Sequence, residues 1–327
     1  MSIKKILEIS VLMVVLYCPV MLCEIDIEYA RNVSKQVASS GRDSNHLNGY
    51  NRRGITPIVN HQNVVNGFDA NIQDYPFVVQ MHPCSEKSGG LCGGALISPN
   101  WVLTAAHCVY GEENDRFEAS RSWITVGTSN LESNKGIERG RAGYTVEAKR
   151  FFIYPGYSKS NPLNDIGLVE LAEPINANLA QCGKIYSGFI NSGMDVVAAG
   201  WGVTNLEQPK KASERLKKAE MKVSDSENCA KLWHEWRGNA YEYVCVGVVD
   251  GIDTCYGDSG TPLMASISGT TGSKREKHPI VGIASSGTSP DNIGCGGPGA
   301  VGYYSNAYFY LGWISDITGI SQTDLTE

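Results

Sequence analysis

The chain has 327 residues, which is enough for one large domain or two small ones. Its 36 glycines and its many short apolar runs, separated by Gly, Asn, Ser and Pro, favour an all-β fold. The net charge of −6 is spread along the chain without a basic stripe or an acidic tail, so we expect no nucleic-acid partner.

Residues 1–23 are interpreted as a secretory signal peptide. Two lysines, at positions 4 and 5, precede an apolar run that ends at Cys23, and a polar stretch begins at Glu24, so we expect cleavage after Cys23. An uncleaved membrane anchor is the alternative, but the run is near the lower length limit for a span and contains Glu8. We therefore expect a secreted, extracellular protein without stable membrane association.

Residues 24–63 are polar, rich in Asn, Ser and Arg, and poor in apolar periodicity, which indicates a pro-segment or flexible leader. This segment contains Asn32-Val-Ser34, an acceptor sequence for N-glycosylation in a secreted protein. Residues 64–327 hold nearly all the β-like runs, and we expect them to form the folded domain.

Within this domain, several apolar runs are typical of strands: Phe77–Met81, Gly94–Ile97, Val196–Gly200 and Ile280–Ala284. The tail from Tyr308 to Ile317 instead has the apolar spacing of a helix that packs on the core.

The chain has ten cysteines, two of which lie in the predicted signal peptide. An even number remains, which implies disulfides in an oxidising compartment. The remaining cysteines are Cys84, Cys92, Cys108, Cys182, Cys229, Cys245, Cys255 and Cys295. The sequence has no CxxC and no HExxH motif, so their spacing does not suit zinc.

Three segments together could supply the parts of a peptide-hydrolysing site. A serine nucleophile needs an imidazole base, the imidazole needs a carboxylate, and the developing oxyanion needs backbone N–H donors. The first segment contains His107, the second Asp165, and the third Ser259, which glycines flank. Each alone is typical of an ordinary core histidine, a turn aspartate or a loop serine, but the three in this order favour a catalytic triad.

These segments resemble those of the chymotrypsin–trypsin family of serine peptidases, and the likeness runs from about Val64 to Ile314. The order differs from that of α/β-hydrolases, in which the serine comes first, and Thr261 stands where the hydrolase motif needs a glycine. The resemblance implies two six-stranded antiparallel β-barrels with a C-terminal helix and an active site between the barrels.

The resemblance also implies a role for each residue of the site. Ser259 would be the nucleophile, His107 the general base and then acid, and Asp165 the group that orients His107. The backbone N–H groups of Gly257 and Ser259 would form the oxyanion hole. Ser285 would line the site beside Asp165, and its backbone would pair with the substrate.

The same resemblance places Asp253, six residues before the nucleophile, at the base of the primary pocket. Its carboxylate would attract Arg or Lys side chains, and Gly287 and Gly302 would leave room for them, so we expect cleavage after Arg or Lys. Two departures concern substrate contacts: Ser286 stands where the family usually has tryptophan, and the loop from Ser266 to His278 is longer than usual.

For the cysteines, the resemblance implies the pairs Cys92–Cys108, Cys229–Cys245 and Cys255–Cys295. A further bridge that is common in the family is absent at both ends, where Val196 and Ala265 stand. Cys84 and Cys182 remain, and we expect them to pair with each other, with a bond to a partner chain as the alternative.

Val64 begins a segment that resembles the family's mature N-terminus, whose free amine would insert and pair with Asp258. The preceding residue is Asn63 rather than Arg or Lys, which suggests an asparagine-specific activating peptidase. A two-stage route that starts at Arg52-Arg53 is the alternative.

The leading hypothesis is a secreted serine endopeptidase, made as a zymogen, that cleaves protein or peptide substrates without a cofactor. Its partners would include an activating peptidase and a serpin-type or other protein inhibitor. The stretch Thr128–Glu138 does not supply a clear set of carboxylates for calcium, so we expect no required metal. The alternatives are a non-catalytic homologue that acts as an adaptor in a secreted cascade, and a structural β-protein.

Overall fold

The computed structural model describes residues 67–327 except 113, 132–142, 160–162, 209–210, 226, 249, 268–277 and 291–294. The predicted signal peptide and pro-segment, the acceptor Asn32 and the predicted activation residues Asn63 and Val64 lie outside the described residues. Most of the long loop from Ser266 to His278 and much of the stretch from Thr128 to Glu138 lie outside them as well.

The strands of the described residues are numbered here in chain order: β1 (Phe68–Asp69), β2 (Val78–His82), β3 (Cys92–Ser98), β4 (Trp101–Thr104), β5 (Gly111–Glu112), β6 (Asp115–Arg116), β7 (Trp123–Val126), β8 (Tyr144–Ile153), β9 (Gly167–Leu171), β10 (Asp195–Gly200), β11 (Lys217–Val223), β12 (Tyr243–Gly247), β13 (Pro262–Ala265), β14 (Ile280–Thr288) and β15 (Val301–Asn306).

The first half of the domain is a closed antiparallel barrel with the strand order β2-β3-β4-β9-β8-β7. Its central strands are almost continuously buried, and they consist mainly of β-branched, leucine and small residues. Val78, Leu103 and Leu168 are fully buried in its core. A two-stranded ribbon, β5-β6, lies outside this barrel.

The second half is also a barrel, with the order β11-β10-β13-β14-β15-β12, and it closes where β11 pairs with β12. Its core includes Val196, Leu263 and Tyr304. The short strand β1 adds to the outside of β11, with Phe68 opposite Lys218. The first strand of the described chain is therefore paired with the second barrel, although it precedes the strands of the first barrel in the sequence.

The helices of the described residues are short: α1 (His107–Tyr110), α2 (Glu227–Leu232), α3 (Leu311–Thr318) and α4 (Gln322–Leu325), with a 3-10 turn at Ala119–Arg121. Helix α3 follows the last strand of the second barrel, yet its buried Leu311 and Ile314 belong to the core cluster that the first barrel dominates. It ends at Gly319, which adopts the left-handed conformation that a glycine cap favours. No helix in the described part of the chain combines the length and apolar character that crossing a bilayer requires.

These observations confirm the expected all-β fold of two six-stranded antiparallel barrels with a C-terminal helix. The four apolar runs lie in β2, β3, β10 and β14, and the helical tail lies in α3. Boundaries differ from the predicted runs by a few residues, because hydrophobicity marks the buried centre of a strand and not the ends of its hydrogen-bond ladder.

The structure contains the disulfides Cys92–Cys108, Cys229–Cys245 and Cys255–Cys295. The expected pair between Cys84 and Cys182 is wrong, because Cys182 is a free thiol. Cys84 is disulfide-bonded, and its partner lies outside the described residues.

The reason lies in the geometry of the hairpin β2-β3. Gln181 and Gly183, the neighbours of Cys182, donate hydrogen bonds to the carbonyls of Pro76, just before β2, and of Leu96 in β3, next to the residue that pairs with the first residue of β2. Cys84 follows the other end of that strand, roughly 20 Å away at the rise of an extended chain. A disulfide needs Cα atoms within about 7 Å, so the two cysteines cannot meet without unfolding the hairpin.

The two residues at the absent bridge are direct neighbours. Val196 of β10 lies opposite Ala265 of β13, and both side chains are buried in the core of the second barrel. An apolar cross-strand contact therefore replaces the covalent link at this position.

Candidate active site

His107 begins α1 directly after the buried end of β4, and it is fixed by Asp165 on two sides. The Asp165 Oδ1 atom accepts a hydrogen bond from the His107 backbone N–H at 2.9 Å, and Oδ2 lies 2.8 Å from the ring Nδ1. Both side chains are almost fully buried. A carboxylate on Nδ1 favours the tautomer that carries its proton there, which leaves Nε2 to act as a base.

The second barrel holds Asp165 in place. The Ser285 hydroxyl donates to Oδ2 at 2.6 Å, the Ser305 hydroxyl donates to the backbone carbonyl at 2.6 Å, and the Asp165 N–H donates to the Tyr243 hydroxyl at 3.0 Å. The ladder between β14 and β15 shifts register between Ala284 and Ser286, which places Ser285 in a bulge. Bulges commonly redirect a side chain out of the regular strand alternation.

Burial alone would raise the pKa of Asp165, but the adjacent His107 and the hydrogen bonds from His107 and Ser285 outweigh this effect and hold the pKa below its usual value. Asp165 is therefore ionised at neutral pH. Its negative charge can stabilise a positive charge on His107.

Ser259 is partly exposed on a tight turn that packs against the His107 segment. The Gly93 N–H donates to the Ser259 carbonyl at 2.7 Å, and the Gly260 N–H donates to the Ala284 carbonyl at 2.8 Å. A Cβ atom at Gly260 would lie 3.3 Å from the Cys108 sulfur, next to His107. The turn therefore brings the predicted nucleophile to the edge of the barrel interface, although Nε2 of His107 makes no hydrogen bond to the Ser259 Oγ atom.

Two backbone N–H groups of this turn, those of Gly257 and Ser259, are candidate donors to an anion. Gly257 has a φ of 93°, which a side chain would strain, and a Cβ atom there would also approach Gly202 Cα at 3.3 Å. Within the described structure, neither the Gly257 nor the Ser259 N–H donates a backbone hydrogen bond. Unused N–H groups beside a nucleophile have the chemistry of an oxyanion hole.

Asp253 is buried at 4 % exposure, and its Oδ2 atom accepts a hydrogen bond from the Gly296 N–H at 3.0 Å. Gly296 follows Cys295, so the Cys255–Cys295 disulfide ties this donor to the Asp253 segment. Gly302 and Gly287 lie opposite each other on β15 and β14, and a Cβ atom at Gly302 would come within 3.7 Å of the Asp253 carboxylate. Because both residues are glycines, neither strand places a side chain over the buried acid at this pair.

Burial raises the pKa of Asp253 to about 7, and the negative charge of Asp258 adds to the effect, while hydrogen bonds from Gly296 and Thr254 oppose it. No cation pairs with this carboxylate in the described residues. A buried acid in this state gains strongly from a cationic ligand.

The sequence matches the family model described as Trypsin over residues 64–314. This chain belongs to the trypsin family. Among its relatives, a CLIP domain-containing serine protease B4 of Anopheles gambiae is 29% identical, with 77% of this chain and 69% of that protein aligned. The clotting factor G beta subunit of Tachypleus tridentatus is 28% identical over 90% of this chain and 92% of that protein. A protein named trypsin, from Saccharopolyspora erythraea, is 27% identical over 76% of this chain and 94% of that protein.

In this trypsin-family chain, Asp258 directly precedes Ser259, and its side chain is buried at 2 % exposure. Its carboxylate accepts hydrogen bonds from the N–H groups of Gly202 at 2.8 Å and Cys255 at 3.0 Å. Burial raises its pKa to about 6, against the effect of these two hydrogen bonds. The predicted partner of this acid, the amine of Val64, lies outside the described residues.

One cluster of potential metal ligands brings His107 together with Cys92 and Cys108. The two sulfurs form a disulfide and His107 is bonded to Asp165, so the cluster offers no thiolate and is not a metal site. The absence of a required metal remains a prediction.

Tyr243 and Ser305 are the site residues that the sequence analysis missed. They lie 78 and 140 positions from Asp165 in the sequence, and their hydroxyl groups form hydrogen bonds with its backbone. No local sequence motif marks these two residues. The only indication was that each carries a hydroxyl group in a buried strand, where a polar group needs a hydrogen-bond partner.

Proposed function

We propose that this trypsin-family protein is an active serine endopeptidase that cleaves peptide bonds after Arg or Lys. The observation that carries the proposal is the continuous arrangement from Ser285 through Asp165 to His107, on the segment that packs against the turn of the partly exposed Ser259, together with the buried Asp253. A non-catalytic homologue would have no need for an ionised Asp165 that orients a histidine beside unused N–H donors.

In the proposed reaction, His107 Nε2 takes the proton of the Ser259 hydroxyl as Oγ attacks the substrate carbonyl carbon. Asp165 holds the Nδ1 proton and stabilises the imidazolium that forms. The N–H groups of Gly257 and Ser259 would bind the carbonyl oxygen as it becomes negative. His107 then gives its proton to the leaving amine. A water molecule, deprotonated by His107, attacks the acyl carbon, and the Ser259 Oγ atom leaves with the proton that His107 returns to it.

Specificity would come from Asp253. A substrate guanidinium or ammonium group in the space beside Gly287 and Gly302 would neutralise the buried carboxylate, in a shielded site where a charge-assisted bond is strong. An apolar side chain would leave that carboxylate unpaired. The backbone of Ser285 and of the residues after it in β14 would pair with the backbone of the substrate.

We further propose that the protein is secreted and made as a zymogen. The supporting observations are the predicted signal peptide, the three disulfides and the buried Asp258, which would gain a counter-ion if cleavage after Asn63 freed the amine of Val64. Relatives include a protein named phenoloxidase-activating factor 3 and one named Spaetzle-processing enzyme. We propose protein substrates for this chain too, with an activating peptidase and a protein inhibitor as further partners.

The test is an assay of protein that begins at Val64 on matched chromogenic peptides ending in Arg, Lys, Phe and Ala. The matched control is Ser259→Ala, which keeps the fold and removes the nucleophile. We expect the Arg and Lys peptides to be cleaved far faster than the Phe and Ala peptides, and all cleavage to be abolished in the control. A folded protein that neither cleaves these peptides nor reacts with a fluorophosphonate would instead be the non-catalytic adaptor.

A further inference from the structure

Thr261 lies two residues after Ser259 and forms two hydrogen bonds with the turn that carries this serine. It is buried at 1 % exposure, and its backbone N–H donates to the Asp258 carbonyl at 3.0 Å. Its hydroxyl Oγ1 donates a second hydrogen bond to the same carbonyl oxygen. The Asp258 carbonyl therefore has both of its acceptor sites occupied by one residue.

That carbonyl belongs to the peptide unit whose N–H is the N–H of Ser259, one of the two proposed oxyanion donors. Hydrogen bonds polarise one another along a chain, with cooperative strengthening of about 10–30% per bond. A second bond to the carbonyl oxygen therefore makes the Ser259 N–H a stronger donor. It also fixes the plane of the peptide, and with it the direction of that N–H.

The methyl group of Thr261 fits a notch formed by two glycines. A Cβ atom at Gly93 would collide with this methyl group, and a Cβ atom at Gly200 would come within 2.9 Å of it. Gly93 is also the residue whose N–H holds the Ser259 carbonyl at 2.7 Å. The side chain of Thr261 therefore contacts the supports on both sides of Ser259.

We propose that Thr261 is a positioning residue for the oxyanion hole, whose hydroxyl orients and strengthens the Ser259 N–H through the Asp258 carbonyl. This inference rests on the proposed endopeptidase function. Thr261 would stabilise the transition state without touching the substrate.

The test compares Thr261→Ser with Thr261→Ala. Both variants lack the methyl group, so they share any packing defect and differ only in the hydroxyl. The Asp258 carbonyl keeps the Thr261 backbone N–H in both, so neither variant leaves a buried acceptor unsatisfied. Thermal unfolding of the two variants verifies that they are equally folded.

Two inhibitors separate the oxyanion site from the rest of the pocket. An arginine aldehyde adds to Ser259 and places an oxyanion between the N–H donors, whereas benzamidine offers only a cation. We expect the alanine variant to show a kcat and an aldehyde affinity about 1.3- to fivefold below those of the serine variant, because about 10–30% of the strength of one hydrogen bond to the oxyanion is lost. KM and benzamidine affinity should be equal in the two.

Equal kcat and aldehyde affinity in the two variants would overturn the inference while leaving the endopeptidase function intact. A loss of benzamidine affinity equal to the loss of aldehyde affinity would also overturn it, because that result indicates a general distortion of the pocket. If the wild-type protein cleaves no substrate, the proposed function fails and the inference fails with it.

Discussion

Replacing Asp253 with asparagine would remove the charge at the base of the proposed primary pocket while keeping the shape of the side chain. The carbonyl oxygen of asparagine can still accept the hydrogen bond from Gly296, so the local backbone should not move. A substrate cation would then be buried without a partner. Removing one member of a buried ion pair costs about 3–5 kcal/mol, which corresponds to a loss of about 150- to 5,000-fold in kcat/KM for Arg substrates.

The assay uses paired peptides that end in Arg and in Leu, with the wild type and Asp253→Asn measured side by side. The Leu peptide is the control, because it gains nothing from the charge, and its kcat/KM should stay within about threefold. If Asp253→Asn cleaves the Arg peptide within about threefold of the wild type, the carboxylate does not bind the substrate cation and the specificity proposal is wrong.

Binding of benzamidine gives the same prediction a pH dependence. The free carboxylate has a pKa of about 7, raised by burial, so it loses its charge as the pH falls through 7. The ionised form binds the cation, and affinity should therefore fall about tenfold per pH unit below 7 in the wild type. Calorimetric titration of Asp253→Asn should show weak binding without this slope, and an unchanged slope would assign it to another group.

Three further predictions concern stability. His82 is buried, and within the described residues neither of its ring nitrogens has a hydrogen-bond partner. Burial lowers its pKa to about 4, so acid should favour the unfolded chain between pH 6.5 and pH 4 by up to about 3 kcal/mol. Urea unfolding of His82→Phe at both ends of this range should lack that loss. Joining Val196→Cys with Ala265→Cys should add a disulfide worth about 4 kcal/mol, visible as a higher Tm that a reductant reverses. Gly93→Ala should destabilise the domain by about 1–3 kcal/mol through its collision with the Thr261 methyl group, and Thr261→Gly in the same chain should restore most of the loss of Tm.

The fold and the candidate catalytic segments could be predicted because short, strongly constrained motifs carry them. The turn around Ser259 needs glycines on both sides, and His107 follows a buried strand, so the chemistry is visible in the local sequence. The family resemblance then supplied the barrels, which alternation of apolar residues alone would not have closed.

The rest could not be predicted because it depends on contacts between distant segments. The bulge that turns Ser285 toward Asp165 arises from the pairing of two strands, and nothing in its local sequence announces it. The pairing of Cys84 with Cys182 was inferred because these two cysteines remained after the three pairs that the resemblance implies, and this argument carries no information on distance. His82 could be recognised as buried from its strand, but not as lacking a partner.

The two ends of the described domain cross between the barrels. Strand β1, which leads into the first barrel, is hydrogen-bonded to the second, while Tyr310, beyond the second barrel, bonds to Asn164 of the first, and Leu325 accepts a bond from Ile185 in the connection between them. Pulling the halves of the cleft apart would therefore require peeling off both chain ends at once. Neither barrel should survive as a separately expressed fragment, and heating should melt the pair in a single cooperative transition.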